Sequence, residues 1–125
     1  MQHDTRSETE TTSPLTIVAT EGEDILGFAA LGPSRDADSP NDGEIFALYV
    51  DPDSWEQGVG RTLISNARTY LSEMSFAAAN LWVLEGNQRA IRFYEIDGWS
   101  SEGLSREYVV GGVAVNEIRF RRSLI

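Results

Sequence analysis

The chain has 125 residues, 41% of them hydrophobic, which suffices for one core and argues against a second domain. Ten arginines against 20 acidic residues give a net charge of −10, which disfavours nucleic acid and anionic membranes as partners. No apolar run approaches the roughly 20 residues that span a bilayer. Without cysteine the chain has no means for disulfides, thiolate metal sites or cysteine-acyl intermediates, and its one histidine, His3 in the polar N-terminal stretch, makes serine-histidine catalysis and histidine-rich metal sites poor hypotheses. The expectation is a cytoplasmic protein without a metal.

Met1 to Pro14 (MQHDTRSETETTSP) is almost devoid of apolar residues and has no period, so it is expected to be a disordered tail ahead of a single domain at 15–125. Leu15 to Thr20 reads as a strand, Glu21 to Asp24 as its turn, and Ile25 to Gly32 as the returning strand of an antiparallel pair. Pro33 to Gly43 (PSRDADSPNDG) is a polar loop whose Asp36, Asp38 and Asp42 are either solvated or aimed at a cationic amine, solvation being the simpler account.

Glu44 to Val50 (EIFALYV) is a near-continuous apolar run and therefore a central strand. It stops at Asp51-Pro52, because proline cannot donate to a sheet ladder. A turn with two glycines follows, and then Leu63, Ala67, Leu71 and Met74 recur at helical spacing. A further strand over 77–84 follows that helix, and this strand-helix-strand link implies parallel pairing with a right-handed crossover. Asn87 suits a helix cap, Ala90, Ile91, Phe93 and Tyr94 a packing stripe, and Gly98 a helix end. Gly111-Gly112 joins two last strands as a closing hairpin, with a bulge expected near Asn116.

The glycine turn carries the first chemistry. A helix that starts there leaves backbone N–H groups without intrahelical acceptors at the positive end of the helix dipole, and such a place binds phosphate. Without side chains at Gly58 and Gly60, an anion can approach the amides of Gln57, Gly58, Val59, Gly60, Arg61 and Thr62. Two common phosphate motifs fail on spacing. No lysine follows the glycines, and the third glycine of a dinucleotide fingerprint is replaced by Leu63. An anionic ligand on so acidic a chain needs local positive charge, for which Arg61, Arg68, Arg89 and Arg92 are the candidates.

The run GEIFALYVDP, the GVGRTLI that follows and the later LWVLEGNQRAIRFYEIDGW resemble the GNAT family of acyl-CoA-dependent N-acyltransferases. The Asn-x-x-Ala-x-x-Phe-Tyr signature is complete in Asn87, Ala90, Phe93, Tyr94, Gly98 and Trp99. The glycine-loop signature departs at Trp55, where Gln or Arg is usual. The resemblance implies an α/β (α+β) fold, a mixed, mostly antiparallel six-stranded sheet with two crossover helices. It also implies acetyl-CoA as cosubstrate, with its pyrophosphate on the glycine-loop amides and further contacts from Leu48, Tyr49, Val50, Asn87, Arg89, Ala90 and Tyr94. The strand and helices with which the family usually opens would be replaced here by the polar tail.

By the same resemblance Tyr94 is the proton donor to the departing thiolate, and Glu44 is the base that deprotonates the amine. An amine of pKa ~10.4 is mostly protonated at neutral pH and needs such a base before it can attack. The bland alternatives are a core tyrosine and a solvated strand-start glutamate. Phe46, Tyr49, Trp55 and Trp82 are candidates for an acceptor pocket, although strand aromatics more often belong to a core. The expected function is N-acetyl transfer to a small-molecule or peptide primary amine through a ternary complex. A non-catalytic acyl-CoA-binding or regulatory module is the alternative. A homodimer is expected, through Leu15 to Leu31 or Tyr108 to Phe120, to cover an exposed sheet edge.

Overall fold

The computed structural model describes residues 14–125 and the backbone of Gln2–Asp4. Strands β1 (Gln2–Asp4), β2 (Leu15–Glu21), β3 (Asp24–Pro33) and β4 (Gly43–Val50) are followed by helix α1 (Val59–Glu73) and strand β5 (Ala78–Leu84). Helix α2 (Gln88–Ile96) and strands β6 (Ser100–Val110) and β7 (Val113–Ser123) complete the chain. One sheet holds all seven strands in the order β1-β2-β3-β4-β5-β7-β6, antiparallel except for the parallel β4–β5 pair.

Six strands and two crossover helices stand as expected, and the seventh strand is a correction. Part of the polar segment read as a disordered tail pairs with β2, Gln2 opposite Ala19 and Asp4 opposite Ile17. A ladder uses only backbone groups, so a segment without apolar side chains can still cap an open edge. The remainder of that segment, 5–13, lies outside the described residues.

Alternation builds the core side of the sheet. Leu15, Ile17 and Ala19 of β2 face inward with Ala29 and Leu31 of β3, and Leu63, Ile64, Ala67 and Leu71 of α1 cover them. Met74 closes the far end of that helix stripe as core. Strand β6 buries none of its residues and forms the far edge. The expected bulge near Asn116 is instead a register shift on β6 between Ser101 and Ser105, where Gly103 takes φ 74°. Asn116 pairs regularly with Glu107.

Polar ties fix the remaining pieces. Asp97, just after α2, accepts from the Arg68 guanidinium of α1 at 2.9 and 3.0 Å and from the Trp99 indole at 2.9 Å, while its backbone carbonyl accepts from Arg122 of β7. Two helices and a strand therefore meet on one residue. Asp97→Ala leaves the Trp99 indole N–H and the Arg68 guanidinium short of an acceptor, while Arg122 keeps the backbone carbonyl, and urea titration should show a loss of about 2–4 kcal/mol. Asp97→Asn, which keeps one acceptor oxygen, should lose less.

Candidate functional site

The parallel pair at the centre of the sheet is short. Gly43, Glu44 and Ile45 of β4 lie opposite Ala79, Asn80 and Leu81 of β5, and there the pairing ends. Beyond it β4 stays with β3 as far as Val50, and β5 stays with β7 as far as Leu84. The two halves of the sheet part, and the gap is a cavity of about 210 Å³ between Ile45–Leu48 and Leu81–Leu84, closed by Asn87, Ala90 and Tyr94 of α2. Backbone groups along the parted edges have lost their β4–β5 mates and are available to a ligand arm.

At the end of β4 the chain passes through a short 3₁₀ turn (Pro52–Ser54), Glu56 at φ 68° and Gly58 at φ 85°, and enters α1. The amide of Thr62 donates to the Gly58 carbonyl at 3.0 Å, so the helix ladder starts there. The amides of Gly58, Val59, Gly60 and Arg61 precede it without intrahelical acceptors, which narrows the expected anion cradle. Thr62 is removed from it, because its N–H is already spent.

The two glycines do different work. Gly58 has a left-handed backbone, and a Cβ on it would meet nothing within 4 Å, so it keeps the mouth of the loop open. A Cβ on Gly60 would lie 3.3 Å from the Phe93 ring and 3.5 Å from Val50 Cγ2, so Gly60 lets α2 pack closely on the start of α1.

Trp55 donates its indole N–H to the Val50 carbonyl at 2.9 Å, and the Arg89 guanidinium lies 4.0 Å over its ring. Gln57 turns its side chain back to the Asp53 carbonyl at 3.2 Å. The loop, the end of β4 and the start of α2 are thereby tied together, with Arg89 held at the loop mouth. Arg61 and Arg92 are exposed near the same helix ends. Arg68 is not a candidate for anion binding, since Asp97 already holds it. Of the three β4 residues expected to face the ligand, Leu48 lines the cavity, Val50 gives its carbonyl to Trp55, and half-exposed Tyr49 packs its ring against Phe28.

Asn87 caps α2 as expected, its side-chain oxygen accepting from the Ala90 amide at 3.1 Å. Tyr94 lines the cavity between Phe93 and Trp99, both of which meet it edge-on. Burial pushes its hydroxyl up to about 12, so it stays a neutral acid throughout the physiological range.

Glu44 is not a solvated glutamate. It is 1% exposed, and its two oxygens accept from the backbone N–H of Arg35 at 2.9 Å and from the Arg35 guanidinium at 3.0 Å. It lines a second cavity of about 580 Å³ that shares Ile45, Phe46, Trp82 and Glu117 with the first. Of the four aromatic candidates for an acceptor pocket, Phe46 and Trp82 line this cavity, while Trp55 and Tyr49 lie elsewhere.

The acidic loop keeps Asp38 exposed, as a solvated loop would, but its carboxylates are held by arginines and are not free to hold an amine. Arg119 of β7 binds Asp38 at 2.7 and 3.0 Å, Asp36 at 3.2 Å and Glu102 at 2.6 Å, and Arg121 binds Asp42 at 3.0 and 3.2 Å. The Arg119 guanidinium holds the Asp38 carboxyl below its ordinary value, and those carboxylates in turn raise Arg119 further. The loop is clamped onto the closing strands over one end of the larger cavity. Sequence reasoning missed Arg35, Arg106, Glu117 and Tyr108, which also line it. The available signal was Arg106 and Glu117 at matching positions about the Gly-Gly turn, where they are register partners.

The Tyr94 hydroxyl sets a stability test at high pH. Its folded-state pKa lies above the unfolded value of ~10, so the two states hold the same proton below pH ~10. The unfolded chain ionises first above that, and stability falls until the folded pKa near pH 12 is passed. Denaturation midpoints of the parent should therefore drop between about pH 10 and 12 by more than those of Tyr94→Phe, the difference amounting to about 2–3 kcal/mol at the top of that window.

Comparison with known proteins bears on this geometry. The model of the Acetyltransferase (GNAT) family matches residues 1–99. The N-acetyltransferase YuaI of Bacillus subtilis (strain 168) is 32% identical over 95 residues, 75% of this chain and 53% of that protein. A mycothiol acetyltransferase of Propionibacterium freudenreichii is 37% identical over 86 residues, 69% of this chain and 27% of that protein. The chain thus spans about half of one curated relative and about a quarter of the other.

Among solved structures, a nourseothricin acetyltransferase superposes with a TM-score of 0.78 at 22% identity, covering 90% of this chain and 66% of that one. A Bacillus anthracis acetyltransferase structure that contains acetyl coenzyme A superposes at 0.75 with 24% identity, covering 88% and 62%. These two likenesses concern the fold. The family match over most of the chain, joined to the parted sheet, the glycine turn and the Asn87-to-Trp99 signature, makes this chain a member of the GNAT acetyltransferase family.

Proposed function

We propose that the chain moves an acetyl group from acetyl-CoA directly to a primary amine, both substrates being bound together. The observation that carries this reading is the meeting of two cavities. Tyr94 lines one, Glu44 lines the other, and Ile45, Phe46, Trp82 and Glu117 belong to both. A proton donor and a proton acceptor then flank a single reaction place, as general acid-base catalysis requires.

The residues present fit acetyl-CoA. Four amides from Gly58 to Arg61 point out of the start of α1 at the positive end of its dipole. The open face above Gly58 admits a pyrophosphate, and Arg89 stands beside it on Trp55. The gap between Ile45–Leu48 and Leu81–Leu84 suits an extended pantetheine arm. Bound acetyl-CoA supplies the acyl group as a thioester: a new bond joins the amine nitrogen to the acyl carbon, the carbon–sulfur bond breaks, and coenzyme A leaves as its thiol.

The chain's own groups handle the protons. Glu44 accepts one from the ammonium form of the acceptor, directly or through water, and a carboxylate with two oxygens has lone pairs to spare beyond those given to Arg35. Tyr94, kept neutral by its apolar surroundings, gives a proton to the departing sulfur. Its phenolate is then returned to the neutral hydroxyl by the proton that the acylated nitrogen sheds.

Assembly and location follow the same reading. Strand β6 is an open edge with Tyr108, Val109 and Val110 about half or more exposed, and Val113 at the start of β7 is exposed beside them, so a second copy of the chain is assigned to that side. The β2 edge is the lesser candidate, because β1 already covers Ile17–Ala19. Among the described residues no helix is long and apolar enough to cross a membrane, which accords with work in the cytoplasm.

Two variants test the reading. Tyr94→Phe should lower kcat by about 10–100-fold and leave the dissociation constant of acetyl-CoA nearly unchanged, because the hydroxyl acts only as the thiol leaves. Gly58→Val should do the reverse, weakening calorimetric coenzyme A binding by about tenfold or more through a strained backbone and a blocked loop mouth. Coenzyme binding with no thiol release from any amine would instead select the non-catalytic module.

A further inference from the structure

The arginines of this chain fall into two groups. Among the described residues Arg35, Arg68, Arg106, Arg119, Arg121 and Arg122 each pair with a carboxylate, whereas Arg61, Arg89 and Arg92 pair with none. In a chain with 20 acidic residues the second state is the exception. Its location also runs against helix electrostatics. Arg61 is the third residue of α1 and Arg89 the second of α2, and neither helix has an acidic residue in its first turn. A cation at the positive end of a helix dipole costs stability, so neither arginine serves its own helix there. An anionic ligand gains from both.

Arg89 differs from the other two in being held. Its guanidinium lies 4.0 Å over the Trp55 ring, and the Trp55 indole N–H donates to the Val50 carbonyl at 2.9 Å, which fixes the ring against the end of β4. Asp51, Asp53 and Glu56 stand close to Trp55 in the chain, yet Arg89 rests on the ring and on none of these carboxylates. The choice of partner decides what the guanidinium can still do. A carboxylate would cancel its charge and use its N–H donors. A ring attracts the cation through its quadrupole and leaves charge and donors to a third group. Trp55 is 45% exposed, so the pair is open to solvent on the same loop as Gly58, above which nothing stands within 4 Å of a Cβ.

Resting on the reading of acetyl-CoA as cosubstrate, we infer that Trp55 is a positioning residue for the coenzyme. Its ring is a shelf that holds Arg89 at the loop mouth, uncancelled, for a phosphate group of coenzyme A. Trp55 itself donates nothing to the phosphate, because its one N–H is spent on Val50. Its contribution is to order a long side chain before the ligand arrives, so that binding does not have to. The departure of the glycine-loop signature at Trp55 then has a purpose: the cation at the loop comes from α2, and the loop supplies its support.

The test is a double-mutant cycle read by calorimetric titration of coenzyme A into the full chain, with urea midpoints taken for every variant to confirm folding. Trp55→Leu removes the ring and should weaken the Kd about three- to tenfold; Arg89→Gln should weaken it about five- to twentyfold. The double variant should fall within about twofold of Arg89→Gln alone, since a shelf without its arginine has nothing to position. Trp55→Phe, which keeps a ring and loses the N–H, should stay within about threefold of the parent. A Trp55→Leu loss that persists in full without Arg89 overturns the inference and makes Trp55 a brace of the loop. So does a Kd for Trp55→Leu within twofold of the parent, or a Trp55→Phe as weak as Trp55→Leu. Coenzyme binding that follows the cycle with no thiol release from any amine keeps the inference and removes the transferase reading. A parent chain that binds no coenzyme A overturns both.

Discussion

The structure depends on where two parallel strands stop pairing. A β-sheet normally satisfies every backbone N–H and C=O by continuing the ladder, yet β4 and β5 stay together for only three residue pairs before each follows its other neighbour. The parted segments line one cavity together with Tyr94, and the helix between them starts where β4 runs out. If Leu48 and Leu84 were paired across the gap, there would be no slot for an extended ligand. Tyr94 would then be a plain core aromatic.

Arginine performs most of the polar construction. In a chain without lysine, each cation is a planar fork able to satisfy two carboxylate oxygens at once, and Arg68, Arg119 and Arg121 all do so. These forks join segments far apart in sequence: Arg119 reaches Asp38 and Arg121 reaches Asp42. An excess of acid that would otherwise repel itself is thereby used to pin the loop before β4 against the closing strands. Trp82 joins the same arrangement, its indole N–H bonded to Asp36 at 2.8 Å and its ring beneath Arg106.

The sequence makes legible whatever depends on local period or on a short motif. Branched and aromatic residues at alternating positions mark β2 to β5, the spacing from Leu63 to Met74 marks α1, and Asn87 announces the cap of α2. Features that depend on distant partners stay hidden. Glu44 looks like a solvated strand start until Arg35 is seen to cover both its oxygens, and Arg68 looks like a phosphate ligand until Asp97 is seen to take it. Strand β1 was illegible for another reason: its pairing with β2 uses backbone groups alone, which leave no trace in hydropathy. The register shift on β6 falls at Gly103, whose positive φ suits a bulge, although alternation along β7 points to Asn116.

A sheet joined at its middle by so few rungs also has a mechanical weak line. The half made of β1 to β4 with α1 owns most of the buried apolar residues, while the half made of β5 to β7 leans on it through Trp99, Phe120 and the arginine ties. Such halves can open at different free energies, and amide protons on the two sides would then exchange with solvent at different rates. A molecule seated in the gap adds contacts to both sides at once. Its binding energy therefore goes partly into making two foldons behave as one cooperative body, so the protein's rigidity rises with ligand concentration.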